Sequence, residues 1–157
     1  VLVPIGDLDG DGARDLVVGE PEANRVHVLS GRDGSTRLVL ESPDGASFGT
    51  AIATVGDVDR DGLPDLAVGD PGHAGRRGRV QVFSDRQGRL LYEVRGAQPG
   101  DQLGSSLAGG LDVDANGWAE LVIGAPGAEE AGQGLADAGE VGLWSTWPAS
   151  PAGHAHR

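Results

Sequence analysis

Asp57-Val58-Asp59-Arg60-Asp61-Gly62-Leu63-Pro64-Asp65, running on into Leu66-Ala67-Val68-Gly69-Asp70-Pro71, is the stretch that decides how this chain reads. Acids stand at positions one, three, five and nine of a nine-residue loop, with Gly at position six. Short apolar stretches flank the loop, and the second closes on Gly-x-Pro. The same pattern aligns without a gap over residues 5–21 and 110–126. Asp57 stands 50 residues after Asp7 and 55 before Asp112. Nine residues before the first Asp a second landmark appears twice, Phe48-Gly49 and Leu103-Gly104. In the first copy it would fall before Val1, so the chain reads as beginning inside a repeat.

Working outward, the segments between landmarks alternate with period two. Val26 and Val28 flank His27, Val80 and Val82 flank Gln81, and Val141 and Leu143 flank Gly142. This is the signature of strands with one buried face. Turns at residues 31–34 and 85–88 lead into further strands at 36–41 and 89–94. A repeat of about 40–50 residues holding four short antiparallel strands is a propeller blade. The expected fold is all-β, a partial β-propeller of three four-stranded blades, the third lacking its outer strand. Blade one covers residues 1–45, blade two 46–100 and blade three 101–145, with a flexible tail at 146–157. Closed propellers have at least about four blades, so these three need either further blades upstream or a dimer partner.

Composition narrows the function classes. Among 157 residues there are 28 Gly and 9 Pro, and no stretch free of both exceeds nine residues, which leaves little room for a helix. No apolar run approaches the ~18 residues of a membrane span. Cys is absent, which removes disulfides, thiolate nucleophiles and cysteine zinc sites. All 12 basic residues are Arg, against 24 acids, for a net charge of -12. A nucleic-acid binder carries the opposite sign.

Eleven of the 24 acids lie in the three loops. The candidate ligands are Asp7, Asp9, Asp11 and Asp15; Asp57, Asp59, Asp61 and Asp65; and Asp112, Asp114, Asn116 and Glu120. Alternate short side chains in a tight loop converge on one point, and position seven (Ala13, Leu63, Trp118) adds a backbone carbonyl. Gly12, Gly62 and Gly117 permit the reversal with positive φ. An all-oxygen set of this flexibility suits calcium better than magnesium, which demands a rigid octahedron. Two carboxylates ~5 Å apart repel by roughly 3 kcal/mol at an effective dielectric of ~20, so binding two or three calcium ions should be coupled to folding. An EF-hand is excluded because position twelve holds Val18, Val68 and Ile123 and the exit is a strand.

Phe48-Gly49, the acidic loop, and Val68-Gly69-Asp70-Pro71 together resemble the FG-GAP repeat of integrin α-subunit propellers; Ile123-Gly124-Ala125-Pro126-Gly127 is nearly literal. The resemblance runs from Val1 to about Trp144. It implies a seven-bladed propeller with calcium between the first and second strands of a blade, on the face opposite the ligand-binding surface. The sequence departs from the pattern at Leu103, at Asn116 and Glu120 of the third loop, and at Leu111 where the others have Gly6 and Gly56.

Gly45-Ala46-Ser47-Phe48-Gly49 matches a nucleophile elbow, but residues 50–55 read as a strand where a helix is needed. His27, His73, His154 and His156 form no catalytic or zinc constellation, so no enzyme is expected. Arg76, Arg77 and Arg79 read as a solvated basic loop. That loop varies: from the ninth-position acid to the aligned Val the gap is 11, 15 and then 21 residues. Variable loops on a fixed scaffold carry specificity, which makes the Arg loop and residues 129–140 the candidate contact surface for a protein ligand. The expected role is a calcium-binding recognition or adhesion module, extracellular or at the cell surface, where millimolar calcium saturates weak sites. An accessory domain of a secreted hydrolase and a structural spacer in a bacterial surface protein are the alternatives.

Overall fold

The computed structural model describes residues 1–8, 10–84, 87–112, 115, 117–128 and 139–145. They form three antiparallel sheets that follow one another along the chain. The first joins β1 (Leu2–Pro4), β2 (Leu16–Glu20), β3 (Arg25–Leu29) and β4 (Thr36–Glu41) in chain order. The second joins β5 (Ala51–Thr54), β6 (Leu66–Asp70), β7 (Arg79–Ser84) and β8 (Arg89–Arg95) in the same order. The third has three strands, β9 (Ser106–Leu111), β10 (Glu120–Ala125) and β11 (Glu140–Ser145). These are the blades of a partial β-propeller.

Registers repeat along with the sequence. Gly19 faces Val26, Gly69 faces Val80 and Gly124 faces Val141. A bulge falls at Val28/Leu29 in the first sheet and at Val82/Phe83 in the second, the same place in each. Among the described residues two short turns interrupt the β pattern, a 3-10 turn at Pro21–Ala23 and α1 at His73–Arg76, in which Ala74, Gly75 and Arg76 have positive φ. Both sit in the second-to-third-strand loop, just after Gly-x-Pro, where Pro's fixed φ starts a turn cheaply.

Adjacent sheets meet through two cores. Val17, Val26, Val28 and Leu40 of the first sheet close on Phe48, Ile52, Leu66, Val68 and Phe83. Val80, Val82 and Ala67 of the second close on Leu103, Leu121, Ile123 and Ala125. The two landmarks of the repeat account for how close these sheets come. Gly49 N–H donates to Gly69 O at 3.0 Å, tying the aromatic-glycine turn to the Gly-x-Pro strand of its own blade. Gly19 of the preceding blade lies against that turn so tightly that a Cβ there would stand 2.2 Å from Gly49 O. The next junction repeats both contacts: Gly104 N–H donates to Gly124 O at 3.0 Å, and a Cβ on Gly69 would stand 2.1 Å from Gly104 O. Phe48 is fully buried, edge-on to Phe83 at 5.9 Å, and Leu103 takes its place at the second junction.

One alternation departs from expectation. Val26 and Val80 are fully buried, but the aligned Val141 is 72% exposed. What covers the first two is the turn that enters the following sheet, Phe48-Gly49 over Val26 and Leu103-Gly104 over Val80, and none lies over Val141 among the described residues.

Candidate metal centres

The neck of each loop is set by backbone pairing across it. Ile5 N–H donates to Asp15 O and Asp15 N–H to Gly6 O; Val55 N–H donates to Asp65 O and Asp65 N–H to Gly56 O. The loop between must reverse within nine residues, and each blade shares the same central turn. The position-one carboxylate accepts the position-six glycine N–H at 2.8 Å in all three: Asp7 from Gly12, Asp57 from Gly62, Asp112 from Gly117. Its other oxygen accepts N–H from position five, Asp11 in the first loop and Asp61 in the second. Asp11 and Asp61 in turn accept the position-seven amides of Ala13 and Leu63. The glycines at position six have φ of +87°, +95° and +87°, as the reversal demands.

Position four is left-handed as well, with φ of +77° at Gly10, +62° at Arg60 and +58° at Ala115. Only Gly10 signals this in the sequence. Arg60 and Ala115 are held there against the steric preference of an L-residue, which indicates that the loop's hydrogen bonds dictate its backbone.

In the second loop one carboxylate oxygen each of Asp57, Asp59 and Asp61 lie within 4.8 Å of one another. Asp65 is fully buried beside them. Its Oδ2 accepts Val58 N–H at 2.7 Å and Asp59 N–H at 3.3 Å, while Oδ1 is buried with no hydrogen-bond donor among the described residues. Burial pushes its pKa up to about 6, with Asp59 and Asp57 adding like-charge repulsion and the Val58 amide opposing. A buried carboxylate oxygen without a donor, beside three converging carboxylates, fits a hard divalent cation. Tyr92 lies on the same side of the blade: burial, and then Asp65, push its phenol up to about 12.

The first loop builds the ninth position differently. Asp15 is also buried, but Oδ2 accepts Leu8 N–H at 2.9 Å and Oδ1 accepts Gly31 N–H at 3.0 Å from the turn after β3. A Cβ on Gly31 would stand 1.6 Å from Arg14 O, so only glycine allows that approach. The second blade has Asp85 at the aligned place, outside the described residues. Asp9, Asp114 and Asn116 also lie outside them. In the third loop Asp112 is exposed, Trp118 is buried and Glu120, the ninth residue, is buried.

Two contacts were invisible to spacing. Arg89, at the start of β8, places Nη2 3.0 Å from Asp59 Oδ2. Arg60 lies over the Trp118 ring, Cζ to centroid 4.5 Å, and joins the second loop to the third.

On the opposite edge of the sheets the basic loop resolves into unlike residues. Arg76 is exposed, but Arg79 is 3% exposed, which corrects its reading as solvated. It begins β7 and lies beneath the connection from the first blade, bonded to Asp44, Asp70, Glu93 and Ser42. Its hydrogen bond to Asp44 holds that carboxyl below its ordinary range. Ser47 sits in a turn that enters β5, so the strand-to-helix geometry of a nucleophile elbow is missing. His27 pairs with Glu20 and His73 with the Asp44 carbonyl, far from one another in the repeat. Residues 129–138, half of the candidate contact surface, and the tail at 146–157 lie outside the described residues.

Blades joined by a glycine and Gly-x-Pro clasp, with Phe48 or Leu103 before the glycine, and each with an acidic reversal between first and second strands, define a propeller repeat of the FG-GAP class. Comparison with known families agrees: the FG-GAP-like repeat matches residues 7–68 and the FG-GAP repeat matches residues 103–143. Integrin alpha-3 of Cricetulus griseus is 32% identical over a 143-residue alignment, and that of Mus musculus is 31% identical. Each alignment takes in 78% of this chain, which spans about 13% of the length of either relative. The chain is an FG-GAP repeat protein, an integrin-like propeller segment.

Proposed function

We propose that the chain is a calcium-stabilised, non-catalytic recognition module, working outside the cell or at its surface. The observation that carries the calcium reading is the second loop, where Asp57, Asp59 and Asp61 converge and the buried Asp65 Oδ1 has no donor among the described residues. Asp57, Asp59, Asp61, Asp65 and the Leu63 carbonyl would hold one ion. Asp7, Asp9, Asp11, Asp15 and the Ala13 carbonyl would hold another, and Asp112, Asp114, Asn116, Glu120 and the Trp118 carbonyl a third. Bound calcium would supply neutralising charge, and the loops would then order their hairpins without mutual repulsion.

Calorimetric melting in calcium, magnesium or chelator tests this. Chelator should lower the melting temperature by more than 10 °C, and magnesium should restore it only in part; equal melts in all three would refute the reading.

Recognition is assigned to the second-to-third-strand loops, which differ in length between blades while the clasp beneath them does not. Likeness to integrin alpha-3 supports a protein ligand and an adhesive role. Arg76, exposed on α1, is the residue to test. Arg76→Ala should weaken attachment to matrix or cell-surface protein without changing the melt, and unchanged attachment would favour a spacer.

A further inference from the structure

We propose that Arg60 and Trp118 couple the second and third acidic loops, so that an ion in either loop strengthens binding in the other. The inference rests on the calcium reading above. Arg60 is position four of the second loop, left-handed at φ +62°, and its guanidinium lies 4.5 Å from the centroid of Trp118. Trp118 is position seven of the third loop, the residue whose carbonyl would be offered to that loop's ion, and the residue is 7% exposed. The same two loops touch again nearby, where a Cβ on Gly56 would stand 3.2 Å from Ala119 Cβ. The first and second loops meet at the corresponding place, where a Cβ on Gly6 would stand 3.8 Å from Pro64 Cγ. There, however, position four is Gly10 and position seven is Leu63, so no cation meets a ring. The bracket therefore belongs to one junction only.

Coupling requires that each ion distinguish the bracketed state from the loose one. Asp57 takes N–H from Asp61 and Gly62, the two residues after Arg60, so the carboxylate that gathers the second loop also fixes Arg60's backbone. Neutralising Asp57, Asp59 and Asp61 removes the repulsion that would splay this turn, which keeps the guanidinium over the ring. Trp118 is then already held, and the third loop has less conformational entropy to lose when its own ion binds. Linkage makes the effect reciprocal. A cation–π contact exposed on one side is strong enough for about a threefold coupling.

The Gly62 and Gly117 amides, each bonded to its own position-one carboxylate, report the two loops separately in an NMR calcium titration of the full chain. Arg60→Gly removes the guanidinium and keeps a residue at ease with positive φ, as Gly10 is in the first loop. In this variant calcium should bind the third loop about threefold more weakly. Asp59→Ala should weaken the third loop by a similar factor in the natural background and have no such effect in the Arg60→Gly background. Both amides responding to calcium with affinities that neither substitution couples would overturn the inference and leave the calcium reading standing. A Gly117 amide that never responds would also overturn it, and silence from both amides would remove the calcium reading as well.

Discussion

Each loop asks two things of its ninth residue: to close the neck through its backbone and to turn a carboxylate inward. Asp65 does both, at the expense of a buried oxygen with no donor among the described residues. With its folded pKa at about 6 against an ordinary 3.8, the metal-free protein gains from protonating Asp65. That contribution is complete below about pH 4 and is lost as pH rises through 6. In chelator, melting temperature should therefore rise between pH 7.5 and pH 5.5, and Asp65→Asn should flatten the rise. The same variant should melt above the natural protein in chelator at pH 7.5 and below it in calcium; a variant less stable in both would contradict the role given to Asp65. Arg89 offers a milder test. It sits on Asp59 as an exposed counter-charge, and such pairs contribute only ~0.2–1 kcal/mol. Arg89→Gln should raise the calcium affinity of the second loop about twofold at low salt, measured by isothermal titration, with the difference fading at high salt.

At the scale of elements, the clasp between blades is the feature least tolerant of change. Gly69→Ala would drive a methyl into the Gly104 carbonyl, and neither is a movable side-chain end. It should cost about 3 kcal/mol in denaturant unfolding. Gly10→Ala meets nothing within 4 Å and bears only the penalty of φ +77°, about 1 kcal/mol. Phe48→Ala should cost about 3–5 kcal/mol through the cavity it leaves against Phe83. These elements were largely legible in the sequence. Thr36–Glu41 matches its expected bounds, and the loops reverse at Gly12, Gly62 and Gly117 as their spacing predicts. What was not legible depends on neighbours distant in the chain. Val141 alternates like Val26, yet its burial depends on a following sheet. Arg79 follows two loop arginines, yet lies beneath residues 42–44 of the preceding blade. Arg60 carries no local sign of its left-handed backbone, which the loop's hydrogen bonds impose.

Over the whole molecule, the acidity and the fold are one problem. A net charge of -12 on 157 residues opposes compaction, and nearly half of the acids lie in three tight reversals. Three divalent ions would bring the formal charge to about -6, so cation binding and folding stability rise together. The two ends of the sheet stack, at Val1 and Leu2 and at Val141, expose apolar side chains of the kind that the inner junctions bury. The most direct test of the central claim is a crystal structure grown in millimolar calcium. It should show an ion enclosed by Asp57, Asp59, Asp61, Asp65 and the Leu63 carbonyl, with the aligned site of the first loop filled as well. Well-ordered loops with no ion and their aspartates turned apart into solvent would contradict it.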